Sequence, residues 1–181
     1  MVGTIRIREL TARYPALIVL IASLALIAVI ACGDDPQERV FSAPEQGTFV
    51  PTECAPSGND LVCTFALNGN GGATHLGTFS EAATWEIQID NGVIDPTSPK
   101  GSILSGSATL TGTNGDTIRL SAVAGSRLDD GVINAVFNIV GGTGKFEGAT
   151  GLITRSGVFG IVDPENFLGN YNITYTGTIT Y

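Results

Sequence analysis

The feature that most constrains the fold of this chain is an alternation of apolar and polar residues with a period of two. Between residues 83 and 90, Trp85, Ile87 and Ile89 alternate with polar side chains. Successive side chains of a β-strand point to opposite faces, so this pattern predicts a half-buried strand. Beyond the first segment, no stretch shows the apolar spacing of an amphipathic helix. The sequence therefore predicts an all-β protein in which helices are nearly absent.

Similar alternating segments recur along the chain and are separated by turn-forming residues such as Asn114-Gly115 and Asp163-Pro164. The predicted strands cover residues 61–67, 74–80, 83–90, 102–111, 117–122, 132–140, 151–162 and 172–180. About eight strands at this spacing are typical of a closed barrel or a sandwich. A barrel is favoured because closure removes exposed strand edges. The few charged residues of this chain would protect such edges poorly against pairing with another chain.

The N-terminal segment has the layout of an export signal, with three arginines against one acid in the first 14 residues and an apolar run from 16 to 31. The run ends in Val29-Ile30-Ala31-Cys32-Gly33, which resembles the lipobox of bacterial lipoproteins. The resemblance implies cleavage before Cys32 and acylation of its thiol. The alternative is an uncleaved anchor, but a run of 16 residues is shorter than the roughly 20 that span a bilayer.

These features predict three regions: a helical lipoprotein signal peptide over 1–31, a flexible tether over 32–47 and a β-barrel domain over 48–181. The tether is predicted because this segment is polar and has no sustained period. The expected partner is a lipid bilayer, inner or outer, which the acyl chains on Cys32 enter without spanning it. We therefore expect the domain to lie in a bacterial cell envelope, outside the cytoplasm.

The charge of the chain excludes some classes of partner and site. Nine basic residues against 17 acidic ones give a net charge of −8, and removal of residues 1–31 makes it −10. Nucleic acid is therefore not expected as a partner. One histidine and three scattered cysteines are too few for a zinc site, and we expect no metal and no cofactor.

If Cys32 is acylated, Cys54 and Cys63 remain as an even pair in an exported chain. The residues between them are rich in turn formers, so a hairpin could bring the two sulfur atoms together. A structural disulfide is therefore predicted. The alternative, a reactive redox pair, needs closer spacing.

One glycine-rich segment resembles a known superfamily. Gly141-Gly142-Thr143-Gly144-Lys145-Phe146 follows one predicted strand and precedes another, and Thr74-His75-Leu76-Gly77 and Thr113-Asn114-Gly115-Asp116 come before it. Together these segments are similar to bacterial members of the allene oxide cyclase and dirigent superfamily. The resemblance implies an eight-stranded, calycin-like barrel that is often a homo-oligomer. The segment is not a phosphate-binding Walker loop, because Phe146 stands where that loop has Ser or Thr.

A barrel of this size has an interior that is either filled by side chains or able to hold one small ligand. The candidate lumen or ligand-binding residues are Trp85, Ile87, Phe137, Arg155, Tyr175 and His75. Arg155 shares strand parity with apolar residues, so it orients a polar ligand group or is paired structurally. His75, the only histidine, either serves the hydrogen bonding of the barrel or, together with a carboxylate such as Glu86, transfers protons.

Two functions remain open. The first is a non-enzymatic lipoprotein that binds a small apolar molecule or serves as a surface module, and it is favoured because no catalytic constellation stands out. The second is a cyclase-type or dirigent-type enzyme, in which the barrel restricts a hydrophobic substrate to one reactive shape. A cavity of several hundred Å³ with Arg155 or His75 in its wall would favour ligand handling, and a filled interior would favour a structural role.

Overall fold

The computed structural model describes residues 35–92, 95, 99–123 and 126–181. The strands in this part of the chain are β1 (Glu38–Ser57), β2 (Asp60–Ala73), β3 (Gly77–Ile89), β4 (Gly101–Gly112), β5 (Thr117–Ala122), β6 (Ser126–Asp129), β7 (Val132–Gly142), β8 (Thr150–Asp163) and β9 (Leu168–Thr180). Two three-residue 3-10 turns, Asp90–Gly92 and Gly144–Phe146, complete the described elements. The described residues thus form an all-β structure.

The strands close into an antiparallel barrel. Each long strand pairs with the next one along the chain, and pairing of β1 with β9 closes the circle. β5 and β6 share one position, since both lie between β4 and β7 at different heights. The nine strands therefore fill eight positions, and the predicted closed eight-stranded barrel is confirmed. Closure thus pairs the long edges of the described strands.

Some predicted boundaries were wrong. The predicted strands 74–80 and 83–90 are parts of the single strand β3, and β6 was not predicted. Residues 38–47, expected to be a flexible tether, form the first half of β1 and pair with β9 and β2. The sheet thus begins at Glu38 and not at residue 48, because Phe41 and Ala43 pack into the core.

The predicted signal peptide, Cys32 and the first residues of the predicted tether lie outside the described residues. Over the residues that are described, no helix is long and apolar enough to cross a bilayer.

The predicted disulfide is confirmed. Cys54 on β1 and Cys63 on β2 are directly opposite each other in the antiparallel register, with their Cα atoms 4.1 Å apart, and their sulfur atoms are bonded. The connecting turn reverses through Gly58, which has a positive φ of 66°. The bond therefore crosslinks the two strands of the β1–β2 hairpin at one end of the barrel.

The two ends of the barrel differ. One end carries the β2–β3, β4–β5 and β7–β8 connections, and we call it the closed end. Phe146 is fully buried there, and its ring packs against that of Tyr181 with 4.8 Å between centroids. The other end carries the β1–β2, β3–β4, β6–β7 and β8–β9 connections, and we call it the pocket end.

Candidate functional site

A pair of charged residues lies in the middle of the otherwise apolar interior. The guanidinium of Arg155 on β8 faces the carboxylate of Glu81 on β3, with Nη1–Oε1 and Nη2–Oε2 distances of 3.4 and 3.3 Å. Both side chains are fully buried. Glu81 also accepts hydrogen bonds from the hydroxyls of Tyr171 (2.8 Å) and Tyr175 (2.5 Å). Together with Glu45 on β1, these residues form what we call the buried charge cluster.

Aromatic rings surround the guanidinium of Arg155. Its Cζ atom lies 4.3 Å from the ring centroid of Trp85, 4.8 Å from that of Tyr171 and 5.1 Å from that of Tyr175. The negative faces of these rings attract a cation, and the attraction is stronger where water is absent. The rings and Glu81 together therefore offset the cost of burying the charge.

Glu45 holds a proton at neutral pH. Burial, followed by the neighbouring carboxyl group of Glu81, raises the pKa of Glu45 to about 9. Burial alone would raise the pKa of Glu81 as well, but the charge of Arg155 and hydrogen bonds from the cluster outweigh it, so that its pKa is lowered. The cluster therefore contains one cation, one anion and one neutral acid.

The hydrogen bonds of Tyr171 agree with this assignment. Its hydroxyl oxygen lies 2.7 Å from Oε1 of Glu45 and 2.8 Å from Oε2 of Glu81. A phenol donates a single proton, so it can donate to one of the two carboxyl groups only. If Tyr171 donates to the charged Glu81, the protonated Glu45 can donate to the oxygen of Tyr171. Both short contacts are then hydrogen bonds.

Inward-facing glycines make room for this cluster. A Cβ atom placed on Gly69 would lie 1.9 Å from Oε1 of Glu45, and one on Gly47 would lie 2.5 Å from the hydroxyl of Tyr171. Both positions belong to the inward-facing set of their strands, in which the buried residues other than Glu45 are apolar. The absence of a side chain at each of them is what allows Glu45 and Tyr171 to fit.

An apolar pocket opens at the pocket end of the barrel. A layer of aromatic rings lies between this pocket and the buried charge cluster. It is lined by Phe49, Phe65, Leu67, Trp85, Ile87, Ile89, Pro99, Lys100, Leu128, Phe159, Ile161 and Phe167. We call it the end pocket. Trp85 and Phe159 contact both the pocket and Arg155, whereas Arg155 itself does not line it. These two rings therefore separate the end pocket from the buried charge cluster.

The end pocket is small because side chains fill most of the barrel. Its volume is about 50 Å³, less than the cavity of about 150 Å³ that takes up a benzene molecule in another protein. As bounded by the described residues, the end pocket is thus far smaller than the several hundred Å³ that would favour enclosing a ligand. By the criterion set from the sequence, this filled interior favours a structural role for the core, and only one end of an apolar molecule could enter the end pocket.

Five of the six predicted lumen residues lie inside the barrel. The side chains of Trp85, Ile87, Phe137, Arg155 and Tyr175 are buried. Trp85 and Ile87 line the end pocket, Arg155 and Tyr175 belong to the buried charge cluster, and Phe137 packs between the rings of Trp85 and Tyr175.

His75 is not in the lumen. It lies in the β2–β3 connection at the closed end, where its Nε2 is 3.0 Å from the carbonyl oxygen of Val40. Glu86 belongs to the opposite, outward face of β3, where it accepts a hydrogen bond from Ser105. The two side chains do not converge, so the structure gives no support to proton transfer between them.

The glycine-rich motif and the two segments linked with it all lie at the closed end, where the motif contacts the segment 113–116 and its neighbour Thr117. The backbone N–H of Thr117 donates to Oγ1 of Thr143, and a Cβ atom on Gly144 would collide with the carboxylate of Asp116. Gly144 has a positive φ of 62°, which leads the chain into the 3-10 turn that places Phe146 in the core. Gly141 and Gly142 are the last residues of β7, and Lys145 belongs to the 3-10 turn, which thus plugs this end of the barrel.

Sequence reasoning missed Glu45, Glu81 and Tyr171. Glu45 was assigned to the tether, and Glu81 fell between two predicted strands. Strand parity carried a signal for the other two positions: Glu81 is in phase with Trp85, and Tyr171 is in phase with Tyr175. Polar residues in phase with a buried apolar face therefore mark buried positions that need a partner.

No protein-family model matches this chain, and no curated protein matches it. The resemblance to the allene oxide cyclase and dirigent superfamily thus stands on its motif segments. In the described part of the chain, no group of His, Cys, Asp or Glu side chains is arranged to hold a metal ion.

Proposed function

We propose that this chain is a bacterial lipoprotein, anchored in a membrane of the cell envelope through acylated Cys32, whose barrel binds the apolar part of a small molecule in the end pocket. The observation that carries the proposal is the end pocket itself. Its aromatic floor of Phe49, Trp85 and Phe159 and its nearly continuous apolar wall offer burial from water worth about 0.8 kcal/mol for each CH₂ group.

The position of β1 supports an orientation for this arrangement. The sheet begins at Glu38, six residues after Cys32, and Glu38 pairs with Thr180 at the closed end. Six extended residues reach at most about 20 Å. A membrane anchor at Cys32 would therefore hold the closed end within that distance of the bilayer surface.

We also propose that the chain belongs to the allene oxide cyclase and dirigent superfamily. A closed eight-stranded antiparallel barrel agrees with a calycin-like fold and with the allene oxide cyclase and dirigent superfamily. The location of all three motif segments at the closed end supports the same assignment.

A cyclase-type or dirigent-type enzyme is the second candidate, and the pair of carboxyl groups in the cluster favours it. The pKa of Glu45 is raised and that of Glu81 is lowered, a separation that allows one acid to donate a proton while the other stays charged. Neither carboxyl group lines the end pocket. Aromatic rings separate both carboxyl groups from the end pocket, so binding is better supported than catalysis.

Thermal unfolding of the full chain with a panel of short alcohols and ketones tests the binding proposal. A ligand present at 100 times its dissociation constant stabilises the folded state by about 2.7 kcal/mol, which raises Tm by several degrees. Ile161→Phe, which fills the pocket mouth, should abolish the shift. Val162→Phe, the same kind of change on the outward face of the same strand, should preserve it. Equal shifts in both variants, or none in the unaltered chain, would reject the proposal.

Labelling with a radioactive fatty acid in bacteria tests the anchor. The unaltered chain should incorporate label, and Cys32→Ala should abolish it. The double variant Cys54→Ala/Cys63→Ala should still be labelled, because these residues form the disulfide. Label that persists in Cys32→Ala would rule out acylation at this position.

A further inference from the structure

A groove on the outer wall of the barrel is another place where the structure offers room for a ligand. It runs across β8, β9 and β1 and has a volume of about 610 Å³. A smaller depression of about 270 Å³ across β9, β1 and β2 shares the lining residues Gln46 and Asn172 with it. We call the two together the outer groove. The larger volume alone is within the range of about 300–1,000 Å³ that is typical of small-molecule sites.

Uncharged polar side chains line this groove in a regular pattern. They form two rows of cross-strand neighbours, of which the first is Asn172, Gln46 and Asn70 and the second is Asn170, Thr48 and Asn68. These residues are exposed, and all except Asn68 line the outer groove. Neighbouring strands lie about 4.8 Å apart and alternate residues of a strand about 6.8 Å apart, so the Cα atoms of the two rows span roughly 10 by 7 Å. We call the two rows the polar array.

The amide side chains of the polar array form no hydrogen bond with another residue in the described part of the chain. Amides in two turns behave differently, since those of Asn114 and Asn166 donate to Asp116 and Asp163. An amide side chain offers two N–H donors and one carbonyl acceptor. The polar array therefore presents donors and acceptors side by side to a molecule that enters the groove.

The placement of these asparagines departs from the preferences of a strand. Asparagine is depleted in strands, whereas threonine is enriched there. Four of the six asparagines in the described strands nevertheless belong to the polar array. Further along β9, the same outward face carries Thr174, Thr176 and Thr178 instead. Departures from local preference are expected where a surface serves a function.

The outer groove offers no charge to a ligand. Among the described residues that line it, Glu45 alone has a carboxyl or amino group, and its buried side chain is the neutral acid of the buried charge cluster. An anionic ligand would find no cation in the groove and would approach a chain with a net charge of −8. A hydroxyl group both donates and accepts without a charge, so it matches the amides of the polar array.

We propose that the outer groove binds a neutral oligosaccharide, whose hydroxyl groups pair with the amides of Gln46, Asn170 and Asn172. Sugars carry hydroxyl groups on neighbouring carbon atoms, and such a pair can bond to the oxygen and the nitrogen of one amide at the same time. The outer groove is on the outward face of the wall, whereas the end pocket lies inside the barrel. The inference therefore does not rest on the function proposed above.

NMR titration of the full chain with three neutral tetrasaccharides, maltotetraose, cellotetraose and mannotetraose, tests the inference. With at least one of them, the side-chain amide signals of Gln46, Asn170 and Asn172 should shift. Those of Asn134 and Asn138, which lie on the outward face of β7, should not. Tetragalacturonate, an anionic probe of the same length, should bind at least about tenfold more weakly than the best neutral one.

Two pairs of variants locate the site. Asn172→Ala removes an amide of the polar array and should weaken binding about tenfold, whereas Asn138→Ala, the same change on β7, should leave it unchanged. A Cβ atom on Gly160 would meet only Oδ1 of Asn170, at 3.4 Å. Gly160→Val should therefore fill the groove without loss of stability and abolish binding, whereas Thr154→Val on the same face of β8 should preserve it.

Each result bears on the proposal. Amide shifts confined to the polar array, and lost in Asn172→Ala, would support it. Failure of all three neutral probes to bind, or equal losses in Asn172→Ala and Asn138→Ala, would overturn it. Tetragalacturonate binding as tightly as the neutral probes would overturn the ligand class. A change of oligomeric state in Asn172→Ala, measured by sedimentation without any effect on sugar binding, would make the polar array a contact between protein chains and would also overturn the proposal.

Discussion

Arg155 and Glu81 form an ion pair across the centre of the barrel, with Nη2 and Oε2 3.3 Å apart and both side chains closed off from solvent. Their strands, β8 and β3, are not neighbours in the sheet. The pair therefore connects parts of the wall that no backbone hydrogen bond joins. It also places two charges in a mostly apolar interior, so each partner is needed to compensate the buried charge of the other.

Removal of one partner should be costly. Arg155→Met leaves the carboxylate of Glu81 buried without its counter-ion and should destabilise the fold by about 3–5 kcal/mol. The double variant Arg155→Met/Glu81→Gln should cost less than the sum of the two single changes, since it leaves no uncompensated charge. Urea unfolding of all four proteins measures this coupling. Strict additivity would show that the two side chains do not stabilise each other.

Glu45 should make stability depend on pH. Its folded pKa of about 9 lies above the unfolded value of 4.5, so between these values the folded state keeps a proton that the unfolded state releases. The free energy of unfolding should therefore fall as pH rises from 5 to 9, by up to about 1.4 kcal/mol per pH unit. Glu45→Gln, which mimics the protonated acid, should flatten this decline.

Glu147→Gln is the control for this pH series, because Glu147 is exposed at the closed end and should not alter the decline. Below pH 4.5 the lowered pKa of Glu81 acts in the opposite direction, and stability should decrease as that carboxylate becomes protonated. A decline between pH 5 and 9 that persists in Glu45→Gln would mean that another group is responsible.

The disulfide should stabilise the folded chain, but the barrel should form without it. Cys54 and Cys63 close a short loop, with a sequence separation of 9, so their bond should contribute about 2–3 kcal/mol by restricting the unfolded state. The double variant Cys54→Ser/Cys63→Ser should lose that amount in urea unfolding and keep the far-ultraviolet circular dichroism of a β-sheet. Loss of the sheet signal would show that the barrel needs the bond to form.

Phe146 should carry the structural role of the glycine-rich motif. It is fully buried at the closed end, and Phe146→Ala should cost about 3–5 kcal/mol because it leaves a cavity. Glu147→Ala, at the adjacent exposed position, should change stability by less than about 0.5 kcal/mol. Similar effects of the two changes would contradict the assignment of the motif as a plug.

The alternation of the strands was sufficient to predict the class of fold. Trp85, Ile87 and Ile89 have the burial that their period of two predicts. The hairpin that joins Cys54 to Cys63 could also be predicted, because turn-forming residues fill the short span between the two cysteines. These features depend on residues that are close in sequence, and local chemistry is enough to find them.

Only part of the charge cluster could be predicted in this way: Arg155 and Tyr175 were expected in the lumen, whereas Glu45 was not. Glu45 interrupts the apolar alternation of Phe41, Ala43 and Phe49, and this made the first half of β1 read as a tether. The groups that make its burial tolerable, Glu81 and Tyr171, come from β3 and β9 and meet it only after the barrel has closed. A buried polar residue depends on distant partners, and a single sequence does not show which distant residues will meet.

The most direct test of the binding account is a crystal of the full chain soaked with 6-bromohexan-1-ol, in which the anomalous signal of bromine locates the apolar end of the probe. We expect a bromine peak in the end pocket, in contact with the rings of Phe65, Trp85 and Phe159, and no peak there in a crystal of the Ile161→Phe variant. A pocket without bromine in the unaltered protein, or bromine bound only on the outer wall of the barrel, would contradict the account.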